Sequence, residues 1–263
     1  MTEQFPENIE RLIAGKEYTV DSIGCSDGAV YIFNDMVLKS EKCTDNAIST
    51  VEMMKWLSGR LPVPEVLAHE VEDGKSYLLM SRIKGRMACD RYFLEEHPDE
   101  LPDLLADGLK MLWDTDISGC PRMCDLDTEL IRARERVEKG LVNIDDAEPD
   151  TFGKNGFKDP AELLEWLENN RPESDLVLSH GDLCLPNIFI ENGSISGFID
   201  LGSCGIADRW EDIALCWRSL RHNSDGTYGK VYPGIRPDML FEKLGIEPDY
   251  EKLRYYILLD ELF

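Results

Sequence analysis

No apolar run in this sequence reaches the ~18 residues that a membrane-spanning helix needs. Its opening, "MTEQFPENIERL", lacks the basic start and apolar stretch of a secretory signal. The chain is therefore expected to be cytoplasmic, with no membrane partner. Positive charge is scarce. Only 28 Lys and Arg stand against 52 Asp and Glu, a formal net charge of −24. A nucleic-acid interface calls for the opposite sign, so that class is set aside. A Cys-x-x-Cys pair is missing too. The eight cysteines lie at 25, 43, 89, 120, 124, 184, 204 and 216. Cys120 and Cys124 are close, but no second pair or nearby His completes a zinc site. Reduced thiols are the expectation. Internal repeats and low-complexity tracts are also lacking.

What is present describes a globular protein. The hydrophobic fraction is 43% of 263 residues, enough for one large domain or two small lobes. The acidity favours solubility, and it also suits attraction of a cationic ligand.

The first third reads as strands. "EYTVDSIG" carries β-formers and ends at Gly24. "AVYIF" and "MVLKS" flank Asn34-Asp35, a two-residue hairpin connection. In "TDNAISTVEMMKWLSG", Ile48, Val51, Met54 and Leu57 fall at helical spacing, with Gly59 as the stop. After "LPVPEV", an extended linker, "VLAHEV" and "KSYLLMS" form a strand pair around Asp73-Gly74. Beyond Ser81 helices take over. Leu101, Leu104, Leu105, Leu109 and Leu112 share one face. "LDTELIRARERVEKGL" is a more charged helix, and "NIDDAEPDTFGKNG" is an acidic loop. Asp159-Pro160-Ala161-Glu162 is a helix start. "LVLS", "IFIE" and "SISGFID" are strands, the last two joined at Asn192-Gly193, and helices run from "RWEDIALCWRSLRH" to the end. The architecture is a small β-rich lobe over residues 1–80 and a larger helical lobe over 81–263, with a ligand cleft expected between them.

One stretch stands apart: "SHGDLCLPNIFI", followed by "GFIDLGS". Asp182 and Asn187 lie on the loop between two strands, and Asp200 ends the next strand across a hairpin. A hairpin brings its ends together, so the three converge. Carboxylate and amide oxygens suit Mg²⁺, which takes one or two protein carboxylates and completes its shell with phosphate and water. Asp182 is then left to accept a proton from a hydroxyl. The β-rich lobe offers complementary parts. Lys39 ends the apolar "MVLK", where an ammonium needs a partner. Glu52, near the middle of the next helix, is placed to orient it. The loop Gly24-Cys25-Ser26-Asp27-Gly28 lets backbone N–H groups approach phosphate.

These motifs resemble the aminoglycoside phosphotransferases, specifically the 3′-phosphotransferase group. "SHGDLCLPNIF" is similar to that family's catalytic loop and "GFIDLG" to its metal-binding strand. "RLPVPEVL", "YLLMS", "DLVLSHGD" and the terminal "YYILLDELF" resemble the group over nearly the whole chain. The resemblance implies an α+β, bilobal, protein-kinase-like fold and transfer of the γ-phosphoryl group of ATP, or GTP, to an aminoglycoside hydroxyl. By that resemblance Asp182 is the catalytic base, and Asn187 and Asp200 hold Mg²⁺. Lys39 holds the α/β-phosphates and Glu52 orients it. Ser26 belongs to the phosphate loop, and Met80 and Ser81 meet the adenine edge through backbone groups.

A polycationic acceptor needs carboxylates around its amines. The expected ones are Asp145, Asp146, Glu148 and Asp150 of the acidic loop, Asp260 and Glu261, and the terminal carboxylate of Phe263. The chain departs from the family pattern in places. Ser203 follows Leu201-Gly202 where the family carries arginine. His222 and Asn223 stand where some members have two acids. Val37 replaces a stacking aromatic, and "SDGTYGKVYPGIRP" is longer than usual. A rival reading keeps the fold and phosphorylates another small hydroxyl metabolite, of choline or homoserine type. A non-catalytic binding module is disfavoured by the intact Lys39, Asp182, Asn187 and Asp200.

Overall fold

Alternation along the early strands builds a five-stranded antiparallel sheet. The computed structural model describes residues 4–21, 28–145, 147–154 and 156–263. Strands β1 (Thr19–Asp21), β2 (Ala29–Ile32), β3 (Met36–Lys42), β4 (Val66–Glu72) and β5 (Lys75–Ser81) are ordered β1-β2-β3-β5-β4. The hairpin at Asn34-Asp35 pairs Ile32 with Val37, as the sequence suggested. On β3, Met36 and Leu38 point to one face, with Val37, Lys39 and Glu41 on the other. A short helix, α1 (Glu7–Ile13), covers the first face through Ile9 and Ile13, packed with Tyr31, Phe33 and Leu79. The acidic sequence reading of this segment did not foresee that helix.

Helix α2 (Asp45–Leu57) starts where Thr44 Oγ1 accepts the Ala47 N–H at 3.1 Å. It stops before Gly59, whose φ of 75° suits glycine. Its Val51, Met53, Met54 and Leu57 belong to the large core of the helical half, not to the core under α1. An early segment of the chain is therefore packed into the later part of the molecule.

The helical half contains α3 (Leu101–Trp113), α4 (Leu126–Glu138), α5 (Pro160–Asn169), α6 (Arg209–Asp225), α7 (Met239–Leu244) and α8 (Tyr250–Asp260). The five leucines expected on one face of α3 are all buried, each contributing about 1.5–3 kcal/mol. Asp159 caps α5 by accepting the Glu162 N–H at 3.0 Å. Two small sheets carry the polar motifs. β7 (Leu176–Ser179) pairs with β10 (Gly205–Asp208), and β8 (Ile188–Glu191) lies between β9 (Ser194–Phe198) and the short β6 (Arg86–Met87). The sequence reading had no counterpart for β6, β10 or the π-helical turn at Tyr92–Glu96. Among the described residues all cysteines are free, and no helix is long and apolar enough to cross a membrane.

Candidate active site

His180 organises the turn after β7. Its buried ring donates from Nε2 to the Ile199 carbonyl at 2.8 Å, and Nδ1 accepts the Asp182 N–H at 3.3 Å. Those two partners select the Nε2–H tautomer. Behind it, Asp212 in the first turn of α6 is fully buried and accepts the His180 N–H at 2.8 Å and the Gly181 N–H at 3.0 Å. Gly181 has φ +76°, and a Cβ there would lie 2.5 Å from the Ser203 carbonyl oxygen. Only glycine lets these two turns touch.

The β8–β9 hairpin brings the remaining polar groups together. Ile199 N–H donates to the Asn187 carbonyl at 3.0 Å, so Asp200 follows directly beside Asn187. Asn187 Nδ2 donates to the Asp182 carbonyl at 2.9 Å and to Asp182 Oδ2 at 3.0 Å. With Nδ2 engaged, Oδ1 is the amide atom left for a cation. Asp200 sits in the left-handed region, φ 57° and ψ 62°, a conformation costing about 1–3 kcal/mol for a residue other than glycine. Its exposed carboxylate takes no hydrogen bond or ion pair among the described residues. Burial pushes the Asp182 carboxyl above its ordinary range. Cys184 and His180 oppose that shift, and the charges of Asp260 and Asp200 reinforce it.

A cleft of about 200 Å³ gathers Lys39 and Glu41 of β3, Asn46 and Thr50 of α2, and Asp182 and Asp200. Lys39, Asp182 and Asp200 thus meet as expected from the sequence. Glu52 does not join them. It is exposed on α2, and the Lys39 ammonium pairs with Glu41 of its own strand, Nζ to Oε2 3.4 Å. Thr50 is the residue of α2 that faces the cleft near Lys39, and Glu52 lies about 200° further round the helix. The Ser81 N–H donates to the Glu65 carbonyl at 2.9 Å, which removes it as a donor to a base edge. Met80 is half-buried and paired with Val37 across the sheet. Ser26 and Asp146 lie outside the described residues.

The acids expected around an acceptor lie on the acidic loop, at the end of α8 and in the residues after it, and most are already matched with arginine. Asp260 pairs with Arg218 at 2.6 Å. Glu148 is paired with Arg221, and its Oε1 lies 2.6 Å from His222 Nε2. Asp150 is exposed and meets Arg254 at 3.3 Å. The Phe263 ring packs between Arg132 and Arg136, centroid distances 5.3 and 5.7 Å, and its terminal oxygen accepts from Arg136. Glu261 accepts the Glu148 N–H at 3.0 Å and has no arginine partner among the described residues. Burial pushes its carboxyl up to about 7. Asp145 is exposed on the surface loop.

Residues 30–255 match the phosphotransferase enzyme family known as APH. The chain belongs to this family. An aminoglycoside 3′-phosphotransferase of Enterococcus faecalis is 44% identical over 215 residues, covering 81% of this chain and 77% of that one. One of Staphylococcus aureus is 38% identical over 266 residues, covering 97% of each chain. A crystal structure of an aminoglycoside-3′-phosphotransferase of type VIII superposes with a TM-score of 0.80 at 26% identity, covering 97% of both chains. An aminoglycoside phosphotransferase from Streptomyces rimosus, solved with ADP and streptomycin, shares the fold at TM-score 0.77 and 24% identity, covering 97% of this chain and 95% of that one. The fold is the bilobal, protein-kinase-like α+β arrangement implied by the motifs.

As a phosphotransferase, this chain has a donor set suited to a hard cation shared with phosphate. Asn187 Oδ1 and the Asp200 carboxylate are oxygen donors, and neither is consumed by a protein partner among the described residues. No group of three or more His, Cys, Asp or Glu side chains able to hold a metal occurs among the described residues. A magnesium site completed by phosphate needs none. Sequence reasoning missed Asp212, Glu41, Thr50 and the arginines of α6 and α8. Asp212 carries no local signal, because the backbone groups it satisfies lie 31 and 32 positions earlier in the chain.

Proposed function

We propose that this phosphotransferase moves the γ-phosphoryl group of ATP or GTP to the 3′-hydroxyl of an aminoglycoside antibiotic and so confers resistance. The observation that carries this reading is Asp182. Its partly buried carboxylate is held by Asn187 in the same cleft as Asp200 and Lys39. Lys39 binds the α/β-phosphates, with Glu41 as its resting counter-ion. Asn187 Oδ1 and Asp200 would hold Mg²⁺, which when bound neutralises charge developing on the β- and γ-phosphate oxygens. The base lies against Met80 and Ser81 at the end of β5. In this reading residues 1–80 form the nucleotide lobe and 81–263 supply the catalytic loop and acceptor site.

Asp182 orients the acceptor hydroxyl and takes its proton as the hydroxyl oxygen bonds to the γ-phosphorus. The bond from that phosphorus to the β–γ bridging oxygen breaks, and nucleoside diphosphate leaves. Positioning and charge neutralisation do most of the work in such transfers. The acceptor is a polycation, and in this reading Glu148, Asp150, Asp260, Glu261 and the Phe263 carboxylate meet its amines. Acceptor amines replace the arginine partners of the paired acids, and Glu261 is open to an amine directly. The identity to aminoglycoside 3′-phosphotransferases over most of the chain supports the acceptor class.

A coupled assay for nucleoside diphosphate release tests the proposal. Kanamycin with Mg²⁺ and ATP, or GTP, is expected to give turnover that Asp182→Ala removes. No turnover with either nucleotide would overturn it.

A further inference from the structure

We infer that Arg122 is a positioning residue that ties helix α2 to the Asp200 loop and so sets the shape of the nucleotide cleft. The kinetic consequence rests on the phosphotransfer reading above, whereas the effect on nucleotide binding does not require the acceptor to be known.

Arg122 is not in the cleft. It lies on a short extended segment beside β10, where the Ile206 N–H donates to the Arg122 carbonyl at 3.0 Å and the Cys124 N–H to the Ile206 carbonyl at 2.8 Å. Gly205 lets its stem lie flat, since a Cβ there would come within 3.2 Å of Arg122 Cγ and 2.7 Å of Cys124 Sγ. The segment is thus held before its side chain reaches out. The guanidinium then bridges two elements far apart in sequence. Nη1 donates to the carbonyls of Gly202 and Cys204, the latter at 3.4 Å. Nη2 donates to Asn46 Oδ1 at 3.2 Å and to Ser49 Oγ, both on α2. A rigid planar fork with five donors can hold two elements in one register, whereas an ammonium offers fewer and less directed donors.

The two tied elements form opposite parts of the cleft. Asn46 and Thr50 line it from α2, and Asp200, Gly202 and Ser203 line it from the loop. With Asn46 Oδ1 bound to Arg122, the Asn46 Nδ2 lies over Gly202, 3.6 Å from where a Cβ would stand. Asp200 Oδ1 is 3.9 Å from that same point. The orientation of α2 and the placement of the Asp200 carboxylate are therefore linked through one side chain. No ion pair joins Lys39 to α2 among the described residues, so the helix is not fixed from the sheet side by charge. Arg122 fixes it from the helical side instead, in keeping with the apolar face of α2 that packs there.

The test compares Arg122→Met, Arg122→Lys and Ser49→Val with the wild type in the full chain. Dissociation constants for ADP with Mg²⁺ are measured by calorimetry, alongside nucleotide KM and kcat. Arg122→Met is expected to weaken ADP binding and raise nucleotide KM by about 10- to 100-fold, with a smaller change in kcat. Arg122→Lys is expected to recover part of that loss. Ser49→Val, which removes only an acceptor on α2 outside the cleft, is expected to cost about fivefold. A folded Arg122→Met with ADP affinity and KM within twofold of wild type would overturn the inference, whatever its melting temperature. If Arg122→Met fails to fold, unchanged nucleotide binding in Ser49→Val would overturn it. If the wild type binds ADP but phosphorylates no aminoglycoside, the proposed function fails while the binding comparison still decides the role of Arg122.

Discussion

The amide nitrogen of Asn187 reaches both the backbone carbonyl and the side-chain carboxylate of Asp182, at 2.9 and 3.0 Å. One side chain thereby holds the Asp182 carboxylate and leaves its own Oδ1 without a protein partner among the described residues. The proposed base and the proposed metal ligands are thus set together by the hairpin that places Asn187 beside Asp200.

Asp182→Asn keeps the shape of the carboxylate but cannot take a proton. It is expected to lower kcat by about 10²–10⁴-fold, with nucleotide affinity within a few-fold of wild type. Steady-state kinetics and calorimetry with ADP check both halves. Near-normal kcat would remove Asp182 as the base.

The partly buried Asp182 carboxyl is raised above its ordinary range, and in its proposed role as base the ionised form is the active one. The acid limb of kcat/KM is therefore expected above the usual aspartate value of about 4, with activity lost as pH falls through the raised value. A pH profile under nucleotide saturation checks this. A profile flat down to pH ~4 would contradict it.

Asp200→Ala removes a carboxylate that no protein group occupies among the described residues. Nucleotide binding with Mg²⁺ is expected to weaken by about tenfold or more, and binding without Mg²⁺ to change little. Calorimetry in the presence of Mg²⁺ and of EDTA separates the two. Equal loss in both would argue against a metal-holding role.

Glu261 is raised by burial to about 7 and is thus largely protonated in slightly acid solution. A cationic amine beside it favours the charged form. Aminoglycoside binding near pH 6.5 is expected to release a proton, a release that Glu261→Gln abolishes. Calorimetry in buffers of different ionisation enthalpy measures it. The sign for stability follows from the same shift. The neutral form is favoured in the folded chain, so the contribution of Glu261 is present below about 4.5 and lost as pH rises towards 7. Melting curves of wild type and Glu261→Gln at pH 5 and pH 8 are expected to diverge in the variant's favour at the higher pH.

The parts legible from sequence were those coded locally. The Asn34-Asp35 hairpin, the leucine face of α3 and the Asp159 cap depend on a few adjacent residues. Asp182, Asn187 and Asp200 were legible because a hairpin converts sequence spacing into proximity. The partner of Lys39 was not. Helix phase turns Glu52 away and presents Thr50, and the carboxylate comes from Glu41 on the same strand face. The acids expected around an acceptor were identified as acids, but their pairing with Arg218, Arg221 and Arg254 forms only when α6, α8 and the acidic loop meet. The extended segment at Arg122 is paired through β10, an element with no clear periodic signal.

The identity of the accepting hydroxyl is tested most directly by comparing kanamycin with tobramycin, which lacks the 3′-hydroxyl, in the same Mg²⁺- and nucleotide-dependent assay. Turnover is expected with kanamycin and none with tobramycin. Comparable turnover of tobramycin would contradict transfer to the 3′ position.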